Sequence, residues 1–250
     1  MNSIPKLSVI TVVYNAKNAL SKTIECVKDQ TYRNYIEYIV VDGASTDGTL
    51  EVIKENNSFI DKWISEKDNG LYDAMNKGLQ MATGEYVLFL NAGDLFYNNT
   101  TVEQVFSKEI ADIYYGETVI IDKDGNELGY RRLRTPKKLT WKSFRMGMLV
   151  CHQSVIIKRD IAGKYNPDYR YTADFDWVLN ALKKADVIMN TNIIISKFEA
   201  GGYSVKNMKK SNKERFRIMK SHYGLLQTLF FHGIMLFRLA FTYLKVGRMQ

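Results

Sequence analysis

Carboxylates and amides recur at one kind of place in the first hundred residues of this chain: directly after short apolar runs. Thr11, Tyr14 and Asn15 close the first run, Asp42 the second, Asp68 the third, and Asn91-Ala92-Gly93-Asp94 the fourth. A carboxylate in such a place can hold a hard divalent cation, and the cation can hold a diphosphate. An acid at the end of a second strand can accept hydrogen bonds from a base or a ribose. Each cluster alone reads equally well as a turn or a helix cap, where Asn, Gly and Asp are common. Four of them side by side describe a pocket for a polar ligand. Two more acids lie in Ala173-Asp174-Phe175-Asp176-Trp177, and His152-Gln153 precedes them. On a helix Asp174 and Asp176 point about 200° apart, so only one can aim at a given ligand.

The elements that position these residues follow from periodicity. The runs at 7–14, 36–41, 59–64 and 86–90 are short and rich in β-branched and aromatic residues, which predicts strands buried on both faces. Between them, Asn15 is placed to cap a helix whose Leu20, Ile24 and Val27 face a core, and Ser45 or Thr46 to cap one running through Lys54. Residues 70–81 predict an amphipathic helix with Leu71, Met75, Leu79 and Ala82 on one side. Strand and helix alternate four times, which argues for an α/β fold with a doubly wound, mostly parallel sheet flanked by helices. Ligands of such sheets bind at the carboxyl ends of the strands, where the polar clusters fall. Beyond Asp94 the pattern predicts a helix at 102–110 and a hairpin of strands at 113–121 and 127–133. A loop entering a strand at 147–157, a helix at 173–184 and a strand at 187–198 follow.

Composition bounds the rest. The 250 residues are 46% hydrophobic and 25% charged, as in globular proteins. Cys26 and Cys151 offer neither a disulfide framework nor metal-ligand spacing, and both are expected to be reduced in the cytoplasm. The N-terminus enters its first strand without a cleavable apolar segment. The net charge of +8 is gathered in the tail: residues 206–220 hold seven basic side chains against Glu214 alone, and Arg238, Lys245 and Arg248 follow. Over 225–246, Gln227, Arg238, Thr242 and Lys245 share one arc of a helix. Leu226, Leu229, Phe230, Phe237, Phe241 and Leu244 cover the opposite face. Polar residues interrupt this helix too often for a bilayer span; it suits one lying in the membrane interface. The glycine fingerprint of dinucleotide binders and the Walker A loop are both absent.

Several spaced blocks resemble family 2 glycosyltransferases of the GT-A (Rossmann-like) fold. They are Ser8-Val9-Ile10-Thr11-Val12-Val13-Tyr14-Asn15, then Val40-Val41-Asp42-Gly43-Ala44-Ser45-Thr46-Asp47-Gly48-Thr49, then Glu66 to Gly78. The pattern continues through Ala82-Thr83-Gly84-Glu85-Tyr86, Leu90-Asn91-Ala92-Gly93-Asp94, His152-Gln153, the Asp174 block and Gly201-Gly202-Tyr203-Ser204. In order, they cover residues 6–205.

The resemblance implies inverting, non-processive transfer of a sugar from a nucleotide diphosphate sugar, a UDP-hexose or UDP-HexNAc, to an acceptor hydroxyl with Mn2+ or Mg2+. The acceptor would be a lipid-linked molecule or a glycan in surface polysaccharide synthesis. By position, Thr11, Tyr14, Asn15, Asp42, Asp68, Asn76, Asn91 and Gly93 fall in nucleotide-sugar-binding blocks, and Asp94 matches the last acid of the metal motif. Asn91 and Gly93 stand where many members have acids. Asp174 matches the catalytic base, with His152, Gln153, Asp176 and Trp177 toward the acceptor. Residues 1–205 would form the catalytic domain, 1–94 as its nucleotide-sugar half and 95–205 as its acceptor half. The basic helical tail, 206–250, would dock on an anionic membrane at its cytoplasmic face, or else pack on the domain or on a second copy in a homodimer. Nucleic acid is not an expected partner. A catalytically inactive nucleotide-sugar-binding scaffold and a sugar-nucleotide pyrophosphorylase are the alternatives. The latter would carry a Gly-rich basic loop after the first strand, unlike Tyr14-Asn15-Ala16-Lys17.

Overall fold

The computed structural model describes residues 4–200 and 207–246, with side chains through Phe237. The block Gly201-Gly202-Tyr203-Ser204, Lys206 and Arg248 lie outside the described residues, as do the side chains of Arg238, Phe241, Thr242, Leu244 and Lys245.

The first half is built from β1 (Leu7–Val13), α1 (Lys17–Lys28), β2 (Ile36–Asp42), α2 (Thr49–Glu55), β3 (Lys62–Ser65), α3 (Leu71–Met81) and β4 (Tyr86–Phe89). The four strands are parallel in the order β3-β2-β1-β4. All seven residues of both β1 and β2 are buried, because helices cover both faces of the sheet. One face packs Leu20, Ile24 and Val27 of α1 with Val52 and Ile53 of α2. The other packs Tyr72 and Met75 of α3, and α3 approaches β1 so closely that a Cβ on Gly78 would overlap the Ile10 side chain.

The second half adds β5 (Leu95–Phe96), α4 (Thr101–Phe106), β6 (Ile113–Ile121), β7 (Glu127–Tyr130), β8 (Val155–Lys158), the single turn α5 (Arg159–Ala162), α6 (Ala173–Lys184) and β9 (Ile188–Glu199). Here the sheet becomes mixed: β8 lies antiparallel between β4 and β6, while β9 runs parallel to β6 and antiparallel to β5. The predicted hairpin forms between β6 and β7 around residues 122–126.

Two local expectations fail for physical reasons. Asn15 does not cap α1; it sits at φ 47° and its side chain accepts from the Thr46 amide, tying two loops together. Neither Ser45 nor Thr46 caps α2, which starts at Thr49 with Asp47 accepting the Thr49 amide. The helical tail expected at 206–250 forms as two helices, α7 (Met208–Tyr223), ended by Gly224 at φ 79°, and α8 (Leu225–Val246). Ser211, Glu214, Ile218, Met219 and Tyr223 of α7 are buried. Among the described residues no helix is long and apolar enough to cross a membrane.

The amino-terminal edge of the parallel strands is closed by one buried carboxylate. Glu37, 3% exposed, pairs with Lys62 at 2.8 Å, accepts from the Ser8 hydroxyl at 2.6 Å and from the Thr83 hydroxyl and amide at 2.6 and 2.7 Å. Burial pushes its pKa up, but these partners outweigh burial and hold it at about 2 against an ordinary 4.5. A depressed folded-state pKa stabilises the fold above the unfolded value, and that stability is lost as pH falls through the folded value. The Glu37 contribution, on the order of 2–3 kcal/mol, is therefore expected to disappear between about pH 4.5 and pH 2. Glu37→Gln should lower unfolding free energy at neutral pH by about 2–4 kcal/mol and flatten the acid limb of stability, measured by urea unfolding across that window. An unaltered acid limb would assign it to other carboxylates.

Candidate functional site

The sheet order 3-2-1-4 reverses direction at β1, and crevices for ligands open at the carboxyl ends of strands at such a reversal. A cleft of about 610 Å3 lies there, lined by Val13, Tyr14, Gly43, Asp68, Leu71 and Ala74 among others. Tyr14 is 65% exposed over it. Asp68 accepts from the Gly70 amide at 2.8 Å, and a Cβ on Gly43 would lie 2.5 Å from its other oxygen. Asn15 and Ala44, flanking the cleft, both hold left-handed backbone at φ 47° and 62°. Strain of this kind, about 1–3 kcal/mol each, clusters at ligand sites.

Three residues expected in the nucleotide site have their side chains engaged by the protein. Thr11 is fully buried, donating to the Leu90 carbonyl at 2.7 Å and accepting from Tyr38. Asn76 is clamped at both ends of its amide to the Tyr165 backbone, at 2.8 and 2.9 Å. Asp42 is also fully buried; it accepts from the Ser45 amide and hydroxyl and from Ser65, and so shapes the loop instead of facing the cleft.

The chain leaves β4 through Asn91-Ala92-Gly93-Asp94, a tight turn closed by the Asp94 amide on the Asn91 carbonyl at 2.8 Å. Its third position needs positive φ, and Gly93 supplies 99°. Asp94 is 5% exposed, and burial raises its pKa to about 6. Gln153 Nε2 donates to Asp94 Oδ2 at 3.0 Å. The neighbouring His152 turns the other way, with Nδ1 3.2 Å from Asp174 Oδ2 and Nε2 3.4 Å from the Asn91 amide nitrogen. Both sit on a short helical turn, His152–Ser154, pinned by the Ser154 hydroxyl to Thr118 and Ser196 at 2.8 and 2.7 Å. The turn thus joins both carboxylates.

Asp174 opens α6 with 18% of its side chain exposed. Its Oδ1 accepts from the Tyr72 hydroxyl at 3.0 Å. Burial raises its pKa, but His152 and Tyr72 overcome burial and leave the carboxyl below its ordinary range, so it is ionised at neutral pH. Asp176 points away, bound to His222 at 2.7 Å and to Asn180 at 3.1 Å. Trp177 is 1% exposed, stacked on Tyr165 and edge-on to Phe89, with its indole N–H on the Gly163 carbonyl. Neither is placed to touch an acceptor: Asp176 serves the contact with α7 and Trp177 the core.

Tyr72, Glu214 and Arg215 belong to the site's support and escaped the sequence reading. Glu214 reaches from α7 to accept the backbone amides of Arg170, Tyr171 and Thr172 at 2.7–3.1 Å, closing the loop that leads into α6. Arg215, largely buried, acts electrostatically on Asp174. The signal for Glu214 and Arg215 was the spacing 211, 214/215, 218/219 and 222/223, a helical stripe disguised by its polar members.

The residues present fit a divalent cation only as a shared site. No group of three or more His, Cys, Asp or Glu gathers to hold a metal among the described residues. Asp94 brings one carboxylate, and the Asn91 side-chain oxygen beside it is buried without a hydrogen-bond partner. Such a pair suits a hard cation that completes its shell with ligand oxygens and water.

The family model described as glycosyl transferase family 2 matches residues 8–165. Over 241 residues, 28% identical, the chain is similar to the putative teichuronic acid biosynthesis glycosyltransferase TuaG of Bacillus subtilis, covering 89% of this chain and 94% of that protein. Its fold is that of Staphylococcus aureus TarS 1-349 in complex with UDP-GlcNAc, with TM-score 0.70 and 18% identity over 86% of this chain and 64% of that one. It is equally that of the mannosyltransferase PcManGT from Pyrobaculum calidifontis in complex with GDP-Man and Mn2+, with TM-score 0.66 and 17% identity over 93% of this chain and 70% of that one. The chain therefore has the GT-A fold expected of it.

Glu214→Ala would strand three backbone amides at the entrance of α6. It is expected to cost about 2–4 kcal/mol in urea unfolding and to speed amide exchange at residues 170–172. An unchanged midpoint and unchanged exchange would remove α7 from the support of Asp174.

Proposed function

The chain belongs to glycosyltransferase family 2, and we propose that it transfers a sugar, with inversion, from a nucleoside diphosphate sugar to a hydroxyl of a glycan or lipid-linked acceptor in surface polysaccharide synthesis. One observation carries this reading: His152 and Gln153 bring Asp174 and Asp94 to a single site at the end of β4. The relatives agree in kind, since TarS is seen with UDP-GlcNAc and TuaG is named for teichuronic acid biosynthesis.

Each residue then has a task. Tyr14 and Asp68 line the cleft for the nucleoside, over the loop that Asp42 and Asn15 hold. Ionised Asp174 takes the proton of the acceptor hydroxyl as that oxygen attacks the anomeric carbon, and the bond from this carbon to the diphosphate breaks. His152 and Tyr72 hold the carboxylate in position. Mn2+ or Mg2+ held by Asp94, with Asn91 beside it, would supply positive charge to the departing diphosphate, as the Mn2+ complex of PcManGT supports. A panel of UDP- and GDP-sugars, each with and without Mn2+, tests the reading. One donor should be consumed, and Asp174→Asn should lose about 10²–10⁴ in transfer rate while still binding nucleotide. Full turnover in Asp174→Asn would overturn the assignment of the base.

The tail reading is carried by α8. Leu226, Leu229, Phe230, Leu236 and Phe237 are 52–83% exposed along its described part, beside Lys209, Lys210, Lys213, Arg217 and Lys220, which face solvent on α7. Arg215, counted with these in the sequence, is turned inward instead. We place the enzyme on the anionic inner face of the cell membrane, where each exposed cation contributes up to about 1 kcal/mol and the apolar face enters the headgroup boundary. The full chain should sediment with anionic liposomes at low salt, and Phe230→Asp with Phe237→Asp should abolish this. No sedimentation, with a dimer by light scattering, would assign the α8 face to a second copy.

A further inference from the structure

A second cavity, of about 540 Å3, lies between α7, α8 and the segment 132–147, and shares no lining residue with the cleft at the ends of β1–β3. Its chemistry is two-sided. Arg132 and Arg215 present guanidinium groups, while Phe216, Met235 and Leu236 present hydrocarbon, and His232 packs edge-on to Phe216. Neither arginine forms an ion pair among the described residues. The Arg215 Nε is buried with no hydrogen-bond partner, and Arg131 nearby adds like charge. Burying that guanidinium Nε without an acceptor is costly, because its N–H loses water and gains no hydrogen bond in return. Planar forks of this kind match phosphate oxygens two at a time.

The apolar wall selects among anions. It runs outward along α8 to Leu236 and Phe237, which are 66% and 74% exposed, so the cavity opens onto the face proposed to meet the membrane. The charges of Arg215 and Asp174 act on one another, which sets the cationic wall on the side of the base. Resting on the transferase reading above, we infer that this cavity binds the phosphate of a lipid-linked acceptor. Arg132 and Arg215 grip the phosphate ester, its hydrocarbon chain lies against Phe216, Met235 and Leu236 toward the membrane, and its sugar faces Asp174.

Calorimetry on the full chain tests this with octyl phosphate below its micellar concentration, glycerol phosphate, inorganic phosphate and octyl glucoside. Octyl phosphate should bind about tenfold or more tightly than any of the other three, since both the charge and the chain are used. Arg132→Gln and Leu236→Asn, both at exposed positions, should each weaken it, the former by about tenfold. Equal affinity for glycerol phosphate would overturn the hydrocarbon half of the inference. Equal affinity for octyl glucoside, or no effect of Arg132→Gln, would overturn the phosphate half. A UDP and GDP titration of the same samples separates the two readings. Nucleotide binding without octyl phosphate binding sinks this site alone, while octyl phosphate binding without donor binding or turnover sinks the transferase reading.

Discussion

Two carboxylates far apart in the chain share one site because adjacent residues of a single helical turn take one each. Gln153 holds Asp94 and His152 holds Asp174, at 3.0 and 3.2 Å. The turn itself is immobilised by buried hydroxyls of Ser154, Thr118 and Ser196. Hydrogen bonds to a charged group contribute about 1.5–3 kcal/mol each, enough to hold geometry in place but not to build it. The strands build it: β8, which follows the turn, pairs with β4, which precedes Asp94. The geometry of the candidate site depends on a strand pairing between the two halves of the sheet.

The two ends of the parallel strands are treated oppositely. At the amino ends, Glu37 satisfies itself within the protein and Gly84 lets the backbone close over Ser8, leaving no room for a ligand. At the carboxyl ends, polar atoms are left over: the Asn91 oxygen lacks a partner, Asp94 is buried with a raised pKa, and Asn15 and Ala44 hold strained backbone. Hydrogen bonding is closed within the protein at one edge, whereas the other retains the Asn91 oxygen, which no protein donor satisfies among the described residues.

The C-terminal helices belong to the same design. Glu214 closes the loop ahead of Asp174, His222 holds Asp176 and Tyr223 stacks on Trp141 at 5.6 Å. The next helix, α8, then offers an apolar face outward. One helix supports the loop into Asp174 while its neighbour, on the reading proposed above, meets the membrane, so that the proposed base and the proposed membrane contact are mechanically adjacent.

The α/β alternation, the strands and the polar turns at their carboxyl ends were legible in the sequence because each is a local pattern. Apolar runs of strand length, an Asn-Ala-Gly-Asp turn and the helix at 173–184 need no knowledge of distant partners. The direction of individual polar side chains was not legible. Thr11, Asp42 and Asn76 carry the right chemistry in the right blocks, yet the fold spends their hydrogen bonds internally, and Trp177 goes to the core. The inward face of α7 was not legible because it includes Ser211, Glu214 and Arg215, which composition reads as solvent-facing. Burying such groups is affordable only when partners arrive from elsewhere in the chain, here the backbone of residues 170–172 for Glu214. Local periodicity determines which elements form, whereas the pairing of buried polar groups is long-range and is decided only when the sheet and helices have met.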